Sequence, residues 1–153
     1  MLFKTHLFFG FLAGLIALDF LDIKNKFLFL IITIIFSIFP DVDHENSKIN
    51  KKLIITKIFS ILFKHRGFVH SIFFVLVLFL IAIYFNYFDV GYGVLTGYLA
   101  HLAIDGLTKN GVKMFYPVFN FKIRGFVRTG GFLERIIFLV ILVLIIAKIS
   151  RLY

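Results

Sequence analysis

The sequence predicts an all-α protein: a polytopic membrane bundle of about five spans, one domain over residues 1–153, with an interfacial amphipathic helix. Three observations predict it. Hydrophobic residues make up 61% of the chain and the mean hydropathy is +1.01, against roughly 45–50% apolar content in soluble domains. The apolar residues run continuously, without the period-two alternation that a closed β-barrel needs. The basic residues are shared unevenly among the connecting segments, as in chains that cross a membrane repeatedly.

Residues 2–21 form the first expected span. They lack a small-x-small cleavage site and pass through Asp19 and Asp22 into a second apolar run, so they do not read as a cleavable signal peptide. The second span, residues 27–39, is ended by Pro40. It is short of the roughly 20 residues of a full crossing, so it is expected to be little tilted, shielded by neighbours or partly inserted. Residues 45–64 set Leu53, Ile54, Ile58 and Phe59 among lysines, the pattern of a helix lying at headgroup level. Residues 68–88, 90–107 and 132–149 supply the remaining spans. The loop at 108–131 carries the turn signals Asn110-Gly111 and Gly130-Gly131 and the cations Lys113, Lys122, Arg124 and Arg128.

If all five runs cross, 13 of the 17 Lys and Arg fall on the side that holds His6, residues 41–68 and the 108–131 loop. The other side keeps Lys24, Lys26, Lys148 and Arg151. The positive-inside rule then puts the N-terminus and the first side in the cytoplasm, with the protein integral to the inner (cytoplasmic) membrane. The net charge of +9 therefore reads as topology, and no nucleic-acid partner is expected. The absence of cysteine excludes disulfides, thiolate zinc sites and cysteine nucleophiles.

Ionisable residues in or beside apolar spans are costly and mark sites. Four of the five histidines and three of the six aspartates fall in three short clusters, Asp41-Val42-Asp43-His44, His65 through His70, and His101 through Asp105. His101 and Asp105 are four apart, so a helix projects both from one face. Asp41 and Asp43 follow Pro40, where the chain leaves a helix; such a pair can bridge two ions, or one can ligate while the other orients a histidine. His65 and His70 can converge across an Arg-Gly turn, which leaves Arg66 beside them with a fork suited to phosphate. With His6, one turn into the first span, all these residues reach one level on one face. The expected metal ligands are His6, Asp41, Asp43, His65, His70, His101 and Asp105, a set that suits two divalent ions, zinc first and manganese or iron next. Asp43 or Glu134 is the expected base and Arg66 the phosphate holder. His44 and Glu45 read as solvated, Asp19, Asp22 and Asp89 as interfacial on the far side.

Phe-Pro-Asp-Val-Asp-His at 39–44, His-Arg-Gly-Phe-Val-His-Ser at 65–71 and the Gly97–Val112 stretch together resemble the membrane-bound metal-dependent hydrolase family, also described as LexA-binding and inner-membrane-associated. The resemblance runs over essentially the whole chain. It implies an integral membrane protein with a hydrolytic metal centre at the same seven positions. Val69 stands where the family more often has threonine. The order His, Asp, His, His-x-x-x-Asp is also loosely similar to the zinc-dependent phospholipase C and P1 nuclease group, whose further C-terminal ligands have no match after Asp105.

Two functional classes follow. One is a metal-dependent hydrolase of a phosphoester, lipid-borne because the site lies at headgroup depth, with the basic loop attracting anionic headgroups. The other is a transporter of divalent cations or protons, with a metal-stabilised scaffold lacking turnover as a third reading. A conduit needs polar residues through the whole bilayer; here they crowd one face, which favours the enzyme.

Overall fold

The structure is a computed structural model and describes residues 1–41 and 68–151. Within them the chain is all-helical: α1 (Phe3–Ala17), α2 (Lys26–Ile38), a 3-10 turn (Phe39–Asp41), α3 (Ile72–Tyr84), α4 (Phe88–Gly106) and α5 (Phe132–Ile149). The five runs each yield a helix; the last has the expected bounds, 132–149, and local chemistry sets different ends for the others. Asn25 caps α2 by accepting from Leu28 N at 3.0 Å, and Ser71 caps α3 by accepting from Phe74 N at 3.3 Å. Ser71 thus delays α3 past Phe68 and puts His70 in a turn rather than in the helix. Asn86, at φ 61°, turns the chain between α3 and α4 through the left-handed region that asparagine tolerates. The expected interfacial helix at 45–64 lies outside the described residues.

Among the described residues, no helix is long and apolar enough to cross a membrane. The first three have 15, 13 and 13 residues, at most about 22 Å at 1.5 Å per residue. The 18 residues of α5 include Glu134, Arg135 and Lys148.

α4 is the central helix, packed on α1, α2 and α3, while α5 packs on α1. It is buried along most of its length through Val94, Tyr98, Ala100, His101, Leu102 and Ile104. Small residues let three helix backbones meet. A Cβ built on Gly97 would lie 2.2 Å from the Thr33 carbonyl oxygen of α2, and one on Gly10 of α1 would lie 2.2 Å from Ser37 Cβ. Pairs of small residues four apart (Gly10 and Gly14, Thr33 and Ser37, Gly93 and Gly97) form the contacting rows, the small-x-x-x-small packing of helices in apolar surroundings. The Thr33 and Ser37 hydroxyls are satisfied within α2, donating to Phe29 O and Ile34 O at 2.8 Å each, as buried hydroxyls require.

Polar side chains collect at the two ends of this bundle. At one end Asp89 accepts from Lys24 N (3.2 Å) and Asn25 N (2.7 Å), and Lys148 pairs with Asp19. The other end holds His6, Asp41, His70, His101, Asp105 and Glu134.

Candidate metal centre

α1 contributes His6, the 3-10 turn after α2 contributes Asp41, the turn before α3 contributes His70, and the last two turns of α4 contribute His101 and Asp105. Four elements distant in sequence thus deliver five candidate ligands to one place. Ligand atoms of Asp41, His70, His101 and Asp105 all lie within 4.8 Å of one another. His6 joins them by stacking on His101, ring centroids 4.2 Å apart and 23° from parallel.

The carboxylates are shared. Asp41 Oδ2 is 3.5 Å from His6 Nε2, while Asp41 Oδ1 is 3.9 Å from both His70 Nε2 and His101 Nε2. Asp105 repeats the arrangement, with Oδ1 3.2 Å from His6 Nε2 and Oδ2 3.6 Å from His101 Nε2. Each aspartate turns one oxygen to His6 and the other to His101. Zinc bonds of about 2.1 Å in a tetrahedron place neighbouring ligand atoms about 3.4 Å apart. The observed separations bracket that value, and most are too long for hydrogen bonds. Burial pushes the Asp41 carboxyl up, but the neighbouring His70, and then His101 and His6, outweigh it and hold its pKa below the usual carboxylate value.

His101 carries the clearest signature. Its Nδ1 lies 2.9 Å from Ser37 O. A carbonyl only accepts, so Nδ1 bears the proton and the neutral ring presents Nε2 as a lone pair. That atom is buried and has no hydrogen-bond partner among the described residues. A bare imidazole nitrogen in an apolar bundle is costly unless something else takes its lone pair. An imidazole that donates from one nitrogen to a carbonyl and offers the other is the form in which histidine binds metals. His6 differs: its Nε2 accepts from the Met1 amino group at 3.1 Å, that group also donates to Asp105 Oδ1 at 2.8 Å, and the buried Nδ1 of His6 has no hydrogen-bond partner among the described residues. Two carboxylates and three imidazoles so disposed fit a divalent cation.

The sequence reading missed the groups that aim these ligands. Ser37 acts through its backbone, which leaves no mark in a sequence. The Tyr98 hydroxyl donates to Val69 O and so fixes the turn that presents His70; the carbonyl of residue 69 is used, not its side chain. A buried tyrosine three residues before His101 was the available signal.

Glu134 is not brought into the centre. Its Oε1 accepts from Leu2 N (2.6 Å) and Thr5 Oγ1 (2.9 Å), and its Oε2 from Gly130 N (2.6 Å). Both oxygens are engaged in fastening the start of α1 to the start of α5, which corrects the expectation of a base. Glu134→Ala is therefore expected to cost stability, at about 1.5–3 kcal/mol for each bond to a charged group, while the folded variant binds divalent metal as the parent does. Thermal melts with elemental analysis check this; metal loss at an unchanged melting temperature would return Glu134 to the centre. Asp43, His65 and Arg66 lie outside the described residues, as does His44.

A family model described as YdjM inner membrane protein matches residues 1–152. The chain belongs to the YdjM inner membrane protein family. YvsG of Bacillus subtilis (strain 168), named an uncharacterized protein, is 34% identical over 104 residues, 66% of this chain and 65% of its own length. The inner membrane protein YdjM of Escherichia coli (strain K12) is 36% identical over 85 residues, 51% of this chain and 43% of its own. The Shigella flexneri protein of that name matches equally. The chain thus spans under two thirds of each relative's length. No solved structure matches it. The YdjM description carries the membrane association that composition led us to expect, and it names no reaction.

Proposed function

We propose that this YdjM-family protein is a membrane-embedded metal-dependent hydrolase, acting on a phosphoester of a lipid or lipid-linked substrate at the cytoplasmic face. The observation that carries the reading is the buried Nε2 of His101, which lacks a hydrogen-bond partner among the described residues and is aimed at two shared carboxylates. His70 and His101 with Asp41 Oδ1 and Asp105 Oδ2 would hold one cation; His6 with Asp41 Oδ2 and Asp105 Oδ1 would hold a second in place of the Met1 amino group that takes two of those atoms. Zinc suits the donors best, with manganese or iron next. Bound there, the ions supply Lewis-acid activation of water and neutralise charge on a phosphoryl group. The chain's own part is to fix the donors: Ser37 O sets the His101 tautomer, and the Tyr98 hydroxyl sets the turn of His70. Asp43 and Arg66, adjoining the described ligands in sequence, are proposed as base and phosphate holder, and His65 as a further ligand. The loose similarity to zinc-dependent phospholipase C and P1 nuclease supports phosphate as the reacting group.

Embedding is supported by the outer faces. Leu139, Val143 and Ile146 of α5 are 60%, 64% and 68% exposed, a helical row of large apolar groups on the side that a soluble bundle makes polar. Helices this short fit a bilayer by thinning it locally or by crossing it in part, which brings the centre toward headgroup depth. Transport of a divalent cation or proton is the second reading. Against it, the buried hydroxyls between the two polar ends, on Thr33 and Ser37, turn to carbonyls of their own helix, and the polar side chains separate to the two ends.

The test is elemental analysis of detergent-purified protein, with phosphomonoesters, phosphodiesters and phospholipids offered before and after chelation. One or two equivalents of metal are expected, with hydrolysis lost on chelation and restored by zinc, manganese or iron. Full hydrolysis by protein shown to be metal-free would overturn the metal; ion flux in proteoliposomes without any hydrolysis would put the transporter first.

A further inference from the structure

The loop between α4 and α5 is not irregular. Val112 and Ile123 exchange backbone bonds of 3.0 Å, Lys109 N donates to Val127 O at 2.9 Å, and Val127 N donates to Leu107 O at 3.0 Å. These bonds fold residues 107–127 back on themselves as a fixed flap. It is anchored at the candidate centre: Ile72 N, two residues past His70, donates to Met114 O at 2.8 Å, and Thr108 Oγ1 donates to Asp105 O at 2.7 Å.

What the flap presents outward is unusual for a surface loop. Phe115, Phe119 and Phe121 group their rings at centroid separations of 5.8–6.5 Å. Val118, Phe119, Phe121 and Phe126 are 61%, 56%, 53% and 70% exposed. The paired backbone fixes the loop in the conformation that leaves these side chains exposed. Interleaved with them stand Lys109, Lys122, Arg124 and Arg128, all exposed, and half-buried Lys113; residues 106–133 contain no Asp or Glu. Large apolar side chains with unopposed cations suit a surface that is apolar a few ångströms down and anionic on top. A water-facing loop would mix both signs, and an acidic protein would leave the phenylalanines in water.

We infer that residues 109–128 form an interfacial flap, seated in an anionic phospholipid leaflet with its phenylalanines among the upper acyl chains and its cations at the phosphates. This deepens the lipid-substrate reading above: it would gather anionic headgroups at the mouth of the centre. It needs neither metal nor turnover to be true.

The chain contains no tryptophan, so Phe119→Trp introduces a sole indole at the flap's tip, and Val118→Trp provides a second reporter should the first fold poorly. Each variant is reconstituted in phosphatidylcholine vesicles containing a minority of phosphatidylglycerol, with bromine near the headgroup end of the acyl chains on one lipid or the other. The expected result is blue-shifted emission, quenched more strongly per mole by brominated phosphatidylglycerol than by brominated phosphatidylcholine. That preference should disappear when Lys122, Arg124 and Arg128 become Gln, or at molar salt. Water-like emission that neither lipid quenches would overturn the flap as an interfacial element, whatever the protein hydrolyses. Equal quenching by the two lipids would overturn its anionic preference. Lost hydrolysis with the quenching pattern intact would sink the enzyme reading and leave the flap standing.

Discussion

Under the proposed metallohydrolase reading, Asp105→Ala is expected to release the metal and abolish hydrolysis together, with helical content nearly unchanged. The carboxylate divides its oxygens between His6, 3.2 Å away, and His101, 3.6 Å away, so its loss removes a donor from both proposed ion positions. Losing a group that merely orients a ligand costs about 10–100-fold in metal affinity; losing a shared ligand should exceed that. The fold should persist because Asp105 lies in the last turn of α4, half-buried at the bundle's end, while Val94, Tyr98 and Leu102 carry the packing beneath it. Elemental analysis, circular dichroism and the phosphoester panel on one preparation decide the matter. A variant that keeps a full complement of metal would remove Asp105 from the ligand set. One that unfolds would show that the carboxylate anchors the fold, and His101→Ala would then repeat the test on a ligand that shares no bond with the chain's first residues.

The centre was legible because charge is expensive where the rest of the chain is Phe, Ile, Leu and Val. His101 and Asp105 announce a shared face through their spacing of four. Alternation of the apolar runs brings His6, Asp41 and His70 to the same end, and the structure places them together there. Helix ends were less legible where the apolar run itself carries no stop signal: residues 68–88 read as one span, yet Ser71 and Asn86 trim the helix to Ile72–Tyr84. Full crossings were inferred from run length, whereas Phe3–Ala17 and Ile72–Tyr84 are shorter than the runs that contain them. Asp89 and Glu134 were read singly, as an interfacial group and as a base. Each in fact fastens backbone amides from segments more than 60 residues away in sequence. No local pattern encodes such partners.

Glycine was the largest signal left unread. A scan for apolar runs treats it as neutral, and the rows Gly10-Gly14, Thr33-Ser37 and Gly93-Gly97 pass unnoticed. Their spacing of four nevertheless marks where helix backbones can touch. In this bundle that contact reaches into the centre, because the carbonyl that orients His101 belongs to Ser37, one turn past Thr33 on the row that Gly97 packs against.

Gly97→Ala is accordingly expected to weaken metal binding by about 10–100-fold, as loss of an orienting partner does, though residue 97 is not itself a ligand. The added Cβ would stand 2.2 Å from Thr33 O and 3.0 Å from Ser37 N. Both are backbone atoms, so α2 and α4 must separate by close to an ångström. The bond between His101 Nδ1 and Ser37 O, 2.9 Å long, cannot stretch that far and survive. Overpacking of this kind costs about 1–3 kcal/mol, so the melting temperature should fall as well. Two comparisons separate the orienting effect from general destabilisation. Gly14→Ala meets the flexible end of Leu30 at 2.9 Å, can be relieved by a side-chain shift, and should leave metal affinity close to that of the parent. Ser37→Ala removes a hydroxyl bonded to its own helix but keeps the carbonyl, and should likewise retain metal. If Gly97→Ala binds metal as the parent does, the carbonyl of Ser37 does not govern His101. If all three variants lose metal in proportion to their melting temperatures, the effect is stability alone. Loss confined to Gly97→Ala would mean that a packing contact between two helix backbones sets the affinity of the centre beyond it.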